Sequence, residues 1–306
     1  MITTDNDGAT TVRRIALPPA EKGAAFSLAT TCGPVAWAGG RWPNVDWTSS
    51  GLVWVGWEGS RAVSRLVRHI ADDELLVTGT ASEVNDSSWA EQVLGPDAVL
   101  PRFDDPILEP LRLRYPGLRP FAAGSVFDGL VSSIIGQSIS IAAAAVTEAR
   151  LAALFSPELE IEGRRFRPLP RADQLANASA DLVRRSGVTW RRAEALVHAG
   201  RAQMAGDIPT AADVLADPDQ ARVCLRRLPL VGPWTAESTL LWGIGFADAY
   251  PIGDVALLRA ARRAFDDGTL SARDMDHRSE RWRPFRGWAA RLLWTDLLGE
   301  APRLDH

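Results

Sequence analysis

The sequence predicts an α+β chain, with a small β-rich N-terminal domain over residues 1–115 and an all-helical region over residues 116–306. Three observations predict it. LVWVGW (52–57) and ELLVTGT (74–80) alternate apolar with small or polar residues, the period of half-buried strands. From Phe121 on, apolar residues recur at helical spacing. Between the two patterns, prolines at 96, 101, 106, 110, 116 and 120 mark a connector with room for short helices at most. A length of 306 residues fits two domains, and 46% apolar with 24% charged residues is ordinary globular composition.

In the first part, residues 26–115 read as mostly β. Turns fall at Gly39-Gly40, Trp42-Pro43 and Ser49-Ser50-Gly51. The segment SRAVSRLVRHI (60–70) has helical spacing and predicts a helix between the strands. In the second part, FDGLVSSII (127–135) sets Phe127, Leu130, Val131, Ile134 and Ile135 on one helix face, and Gly136 ends it. Ser140 caps a helix over 141–155, and Thr189 caps another that Gly206 stops. Leu225 and Leu228 close the next helix, Pro229 to Gly232 form a tight hairpin, and Pro233 takes the first-turn position of the helix after it. Asp254 caps VALLRAARRAF. Pro284 opens a last helix, which Gly299 stops. No repeat, heptad or low-complexity tract interrupts this order.

Composition excludes several chemistries. Two cysteines, Cys32 and Cys224, rule out a disulfide scaffold, a four-cysteine zinc site and a four-cysteine iron–sulfur cluster, and fit a reducing cytoplasm. Four histidines (His69, His198, His277, His306) form no ligand spacing, so no metal site is expected. The first residues lack an apolar core, and no run of about 18 apolar residues occurs, so neither a signal peptide nor a membrane partner is expected. Arginine supplies 33 of the 34 basic residues; Lys22 is the only lysine, so an amine nucleophile has one candidate. Net charge is −4, which weighs against a polyanion partner. The charge is uneven, however: residues 1–115 carry 10 basic and 15 acidic side chains, and residues 116–306 carry 24 and 23.

Two features carry chemistry. LRRLPLVGPWTAE reads as helix–hairpin–helix: a glycine-bearing hairpin at a helix N-terminus presents N–H groups that suit a phosphate oxygen, with or without a bridging monovalent cation. Twenty-two residues after Gly232, Asp254 follows Gly253 at a helix N-cap. Capping alone explains such an aspartate. A catalytic reading asks for a carboxylate, which an N-cap orients.

The ordered set of motifs changes that balance. FDGLVSSIIGQSIS (127–140), GVTWRRAEALVHAGRAQMAGDIP, the hairpin with WTAE, the Gly253-Asp254 cap and RWRPFRGWAARLLW (281–294) together resemble the helix–hairpin–helix DNA glycosylase superfamily. They are most similar to its DNA-3-methyladenine glycosylase II branch, segment by segment over roughly residues 116–298. The resemblance implies an enzyme that binds double-stranded DNA, flips out an alkylated purine and hydrolyses the N-glycosidic bond. Asp254 takes the catalytic carboxylate's position. Trp234, Trp294 and Gln137 take substrate-binding positions, and Ser138, Ile139, Val231, Gly232, Arg283 and Arg286 take DNA-binding ones. Bifunctional relatives carry a lysine where Trp234 stands, so the resemblance implies no Schiff-base lyase. A monomer in the cytoplasm, at the bacterial nucleoid when on DNA, needing no cofactor, is the matching expectation. The competing reading is a non-catalytic module that recognises distorted DNA on the same scaffold.

Three residues depart from the pattern. Leu230 replaces the hairpin's first glycine, where positive φ is costly for a leucine. Ser138 replaces a bulkier residue that wedges into the base stack, leaving Gln137 or Ile139 to fill the gap. Ser238, one turn after Trp234, replaces an aromatic and implies a more open pocket.

Overall fold

Alternating strands build the first part. The computed structural model describes residues 10–17 and 25–303, apart from the side chains of Glu83 and Val84; Lys22 and His306 lie outside the described residues. The order is β1 (Thr11–Ala16), α1 (Leu28–Thr31), α2 (Gly33–Ala36), β2 (Val45–Thr48), β3 (Gly51–Glu58), β4 (Arg61–Ala71), β5 (Glu74–Gly79), α3 (Glu83–Val93) and α4 (Leu108–Arg114). The five strands form one antiparallel sheet, ordered β1-β5-β4-β3-β2. Segments 52–57 and 74–80 fall on β3 and β5, and the proline-rich connector holds only the short α4, as the sequence predicts.

The segment at 60–70 corrects the expected helix: it is β4, inside the sheet between β3 and β5. Its two faces are both covered. Val67 joins the cluster that includes Leu52, Leu75 and Trp89, while Leu66 joins Val53 and Val55 on the other side. A strand apolar on both faces loses its alternation, and Val63, Leu66, Val67 and Ile70 then mimic helical spacing. Arg65, in the same strand, is buried with its guanidinium 5.3 and 5.1 Å from the ring centroids of Trp54 and Trp89 and its Nε 2.7 Å from Asp86 Oδ1. The helices α1 to α3 likewise correct the reading of this part as mostly β.

The second part holds α5 (Val126–Gly136), α6 (Ile141–Phe155), β6 (Leu159–Ile161), β7 (Arg164–Phe166), α7 (Ala172–Ala176), α8 (Ala180–Arg184), α9 (Trp190–Ala205), α10 (Ala211–Ala216), α11 (Pro218–Arg226), α12 (Pro233–Ile244), α13 (Val255–Ala264), α14 (Ala272–Ser279) and α15 (Arg286–Leu298). Its predicted caps are present: Ser140, Thr189 and Asp254 each accept an N–H of the first turn, and Gly206 and Gly299 close their helices at φ +79° and +90°. The last helix begins at Arg286, two residues beyond Pro284. The region is not all-helical, since β6 and β7 form a hairpin whose Ile161 and Phe166 pack on Val53, Val55 and Leu66 of the first sheet.

The helix α5 runs through the helical core, with Leu130, Val131, Ile134 and Ile135 fully buried. It crosses α12 at Gly129 and Gly243. A Cβ at Gly129 would sit 2.5 Å from Gly243 Cα and 2.6 Å from the Thr239 carbonyl, so only glycine permits this approach. The two helices run antiparallel. The end of α5 therefore meets the start of α12, where the hairpin lies.

Candidate active site

Asp254 is the N-cap of α13, and both of its carboxylate oxygens are engaged. Oδ1 accepts the Leu257 N–H at 2.7 Å, and Oδ2 accepts the indole N–H of Trp234 at 2.8 Å. Two donors on two helices thus fix the plane of this carboxylate. It remains partly exposed. The turn before it places Gly253 at φ +73° and brings the Gly253 N–H to Asp276 Oδ1 at 3.4 Å. Burial raises the Asp276 carboxyl above its ordinary range. Burial also raises the Tyr250 phenol, with the charges of Asp276 and Asp254 adding to the effect. Sequence reasoning missed Tyr250 and Asp276. Tyr250 opens the segment YPIGD but carries no signal of its own there, and α14 carries no pattern that singles Asp276 out.

Trp234 and Asp254, twenty residues apart in sequence, are joined by this hydrogen bond. Ser238 follows Trp234 by one turn. It is buried rather than facing an open pocket, and its hydroxyl has no hydrogen-bond partner among the described residues.

Gln137 links the loop after α5 to the hairpin. Its side-chain amide donates to the Leu230 carbonyl at 2.8 Å and to Thr235 Oγ1 at 2.9 Å, tying the end of α5 to the hairpin and to the first turn of α12. Its own carbonyl accepts from Arg192 of α9. The residues on either side of this tie, Ser138 and Leu230, adopt φ +57° and +63°. Leu230 thus takes the left-handed conformation of the glycine it replaces, and that conformation costs a leucine about 1–2 kcal/mol. Ser138 and Ile139 stand exposed at the loop tip, Ile139 at 39%.

In the hairpin, the Val231 side chain is buried and its N–H closes the turn onto the Leu228 carbonyl at 3.2 Å, so Val231 offers no donor outward. Gly232 caps α12 without a side-chain acceptor, which leaves first-turn N–H groups at this end unclaimed by a side chain. The Leu228 and Leu230 carbonyls already accept protein hydrogen bonds. The N–H groups at this end of the hairpin are the feature that suits a phosphate.

Trp294 is buried in the helical core. It is buried against Trp242, ring centroids 5.4 Å apart, and Trp242 meets Trp37 edge-on. Arg286 is a correction as well. It is only 4% exposed, and its guanidinium forms a two-pronged bond to Asp248 at 3.0 and 2.9 Å and a third bond to Glu280 at 2.8 Å. Arg283 shares both carboxylates, at 2.6 Å from Asp248 and 2.7 Å from Glu280. A cavity of about 490 Å³ lined by Ser125, Phe127, Gln203 and Thr210 opens at the far end of α5, and no predicted site residue lines it.

No family model matches the chain. Among curated proteins it is 30% identical over 179 residues to DNA-3-methyladenine glycosylase 2 of Escherichia coli, covering 58% of this chain and 60% of that protein. It is 32% identical over 194 residues to a probable bifunctional transcriptional activator/DNA repair enzyme AlkA of Mycobacterium tuberculosis, covering 63% of this chain and 38% of that protein. The chain thus spans less than two thirds of the length of either relative. In fold it matches a 3-methyladenine DNA-glycosylase from Archaeoglobus fulgidus with a TM-score of 0.75 at 22% identity, over 93% of this chain and 98% of that one. The resemblance carried by the motifs, to AlkA-type glycosylases, is therefore found again in whole-segment sequence similarity and in the fold.

Proposed function

We propose, for a chain of AlkA-type sequence and glycosylase fold, that it is a monofunctional DNA glycosylase that hydrolyses the N-glycosidic bond of alkylated purines. The observation that carries this reading is the hydrogen bond from Trp234 to Asp254. It joins the hairpin helix to the capping carboxylate, and it does so from the position where bifunctional relatives carry a lysine.

The chemistry follows from charge. As the glycosidic bond lengthens, positive charge grows on the deoxyribose. A carboxylate fixed by two N–H donors stabilises that charge without reorganising, and it aligns a water for attack at the sugar carbon. A purine alkylated at N3 or N7 is already cationic, so it leaves without a general acid. The indole of Trp234, tethered to Asp254, offers such a cation an electron-rich face worth about 0.5–2 kcal/mol. With tryptophan at position 234, no amine stands there to attack the sugar, so strand cleavage is not part of the reaction. The partner is double-stranded DNA bearing an alkylated base. The protein acts as a monomer in the cytoplasm, with the unclaimed N–H groups at Gly232 on a phosphate.

The test is release of methylpurines from methylated duplex DNA by the wild type and by Asp254→Asn, with duplex binding measured in parallel. We expect release by the wild type and at least a hundredfold slower release by Asp254→Asn at nearly unchanged affinity. Binding without release by the wild type would replace the enzyme with the recognition module.

A further inference from the structure

Three arginine pairs stand at the ends of α11, α8 and α9. Arg226 and Arg227 close α11, just before Leu230; Arg184 and Arg185 close α8; Arg191 and Arg192 open α9. All except Arg192 are exposed. Hydrogen bonds make one edge of them. Arg192 donates to the Gln137 carbonyl, and the Gln137 amide holds the Leu230 carbonyl at 2.8 Å, so α9, the loop tip at Ser138 and Ile139, and the hairpin are fastened side by side. The Arg184 guanidinium lies over the ring of Trp190, 5.0 Å from its centroid, and Trp190 is itself 44% exposed.

The exposed five share one property. Among the described residues, none of Arg184, Arg185, Arg191, Arg226 and Arg227 has a carboxylate within 4.0 Å. Asp181 and Glu194 are the acids on α8 and α9, and neither pairs with them. On α11, Asp219 is taken by Arg222. Uncompensated guanidiniums spaced along an edge suit a polymer of phosphates better than a single small anion. Stacking on Trp190 holds Arg184 in place, which lowers the side-chain entropy lost on binding.

We infer that this edge is the surface that grips the phosphates of the DNA duplex, with Arg184, Arg185 and Arg191 on one side of the Ser138–Ile139 tip and Arg226 and Arg227 at the hairpin. It rests on the proposed function for the identity of the polyanion, and it moves the footprint away from Arg283 and Arg286.

The experiment measures affinity for a labelled methylated duplex across a salt series. The proteins are the wild type, R185Q with R191Q, R226Q with R227Q, and R68Q on the exposed side of β4 as a control. Each double variant is expected to flatten the log–log salt slope by about two and to weaken binding about tenfold at physiological salt, with R68Q unchanged. R185K with R191K restores the slope, because a point charge suffices for a phosphate. Unchanged slopes in both folded double variants overturn the inference. Methylpurine release by the wild type separates the two claims. Release with unchanged slopes leaves the glycosylase and removes the edge. Arginine-dependent slopes without release leave the edge and remove the glycosylase.

Discussion

Two groups of arginines on this fold end in opposite circumstances. At the start of α15, Arg283 and Arg286 close on Asp248 and Glu280, and Arg286 is buried. Around the hairpin, five exposed arginines have no carboxylate within 4.0 Å among the described residues. Along the chain, RWRPFR is the more basic-looking run, yet Arg283 and Arg286 within it are neutralised. Local composition therefore does not tell which arginines are free, because the partner of Arg286 arrives from 38 residues away. The comparison also meets the objection raised by a net charge of −4. Asp86, Glu237 and Asp248 sit in internal ion pairs that cancel arginines as well as carboxylates, so the sum does not report the charge beside the hairpin, where five arginines stand without a paired carboxylate among the described residues.

Replacing Arg286 breaks the comparison most forcefully. Arg286→Met leaves the buried Asp248 with Arg283 alone. The expected loss is about 3 kcal/mol of unfolding free energy in a denaturant titration, with an unchanged salt slope for DNA binding by the folded protein. A near-neutral stability together with a shallower slope would return Arg286 to the DNA face and erase the distinction between the two groups.

A buried carboxylate with no guanidinium partner among the described residues behaves in the opposite way. Glu148 on α6 is buried, and its Oε1 has no hydrogen-bond partner among the described residues. Burial pushes its carboxyl up from 4.5 to about 7, with the charge of Asp128 adding to the rise. Below pH 4.5 both folded and unfolded forms of this group are protonated, and its contribution is fully present. As pH rises toward 7, the unfolded chain ionises there while the native protein does not. Stability then falls by about 1.4 kcal/mol per pH unit, some ~3 kcal/mol in all, and levels off above the folded value. Glu148→Gln removes that slope. Equal pH dependence in wild type and variant, measured by denaturant unfolding from pH 4.5 to 8, would show that Glu148 ionises freely in the native protein.

What was legible in the sequence is what local physics decides. Ser140, Thr189 and Asp254 cap their helices because a cap needs only a side-chain oxygen and the next turn's N–H. What was not legible depends on distant neighbours. Segment 60–70 became a strand because Leu66 found Ile161 and Phe166 on its second face. Gln137 became a tie because its amide meets a carbonyl 93 residues away. Trp294 gave no sign that Trp242 would cover it.

The smallest effect falls on the tie itself, where two non-glycine residues hold left-handed backbone on either side of Gln137. Ser138 is exposed at φ +57°, and Leu230, at φ +63°, packs against the helical core. Glycine relieves the same backbone cost of about 1–2 kcal/mol at either place, and at either place it adds about 0.5–1 kcal/mol of unfolded-chain entropy. At Ser138 little else is lost, so Ser138→Gly should stabilise the protein by about 0.5 kcal/mol, a rise in Tm of about 1–2 °C by calorimetry. At Leu230 the glycine also deletes a packed side chain, and the sign should reverse, to a loss of about 1 kcal/mol or more. Opposite signs at equal φ would mean that the leucine is kept for packing and that its backbone strain is tolerated for it. If both variants were destabilised alike, the serine hydroxyl would be making a stabilising contact, and the loop tip would be held by more than Gln137.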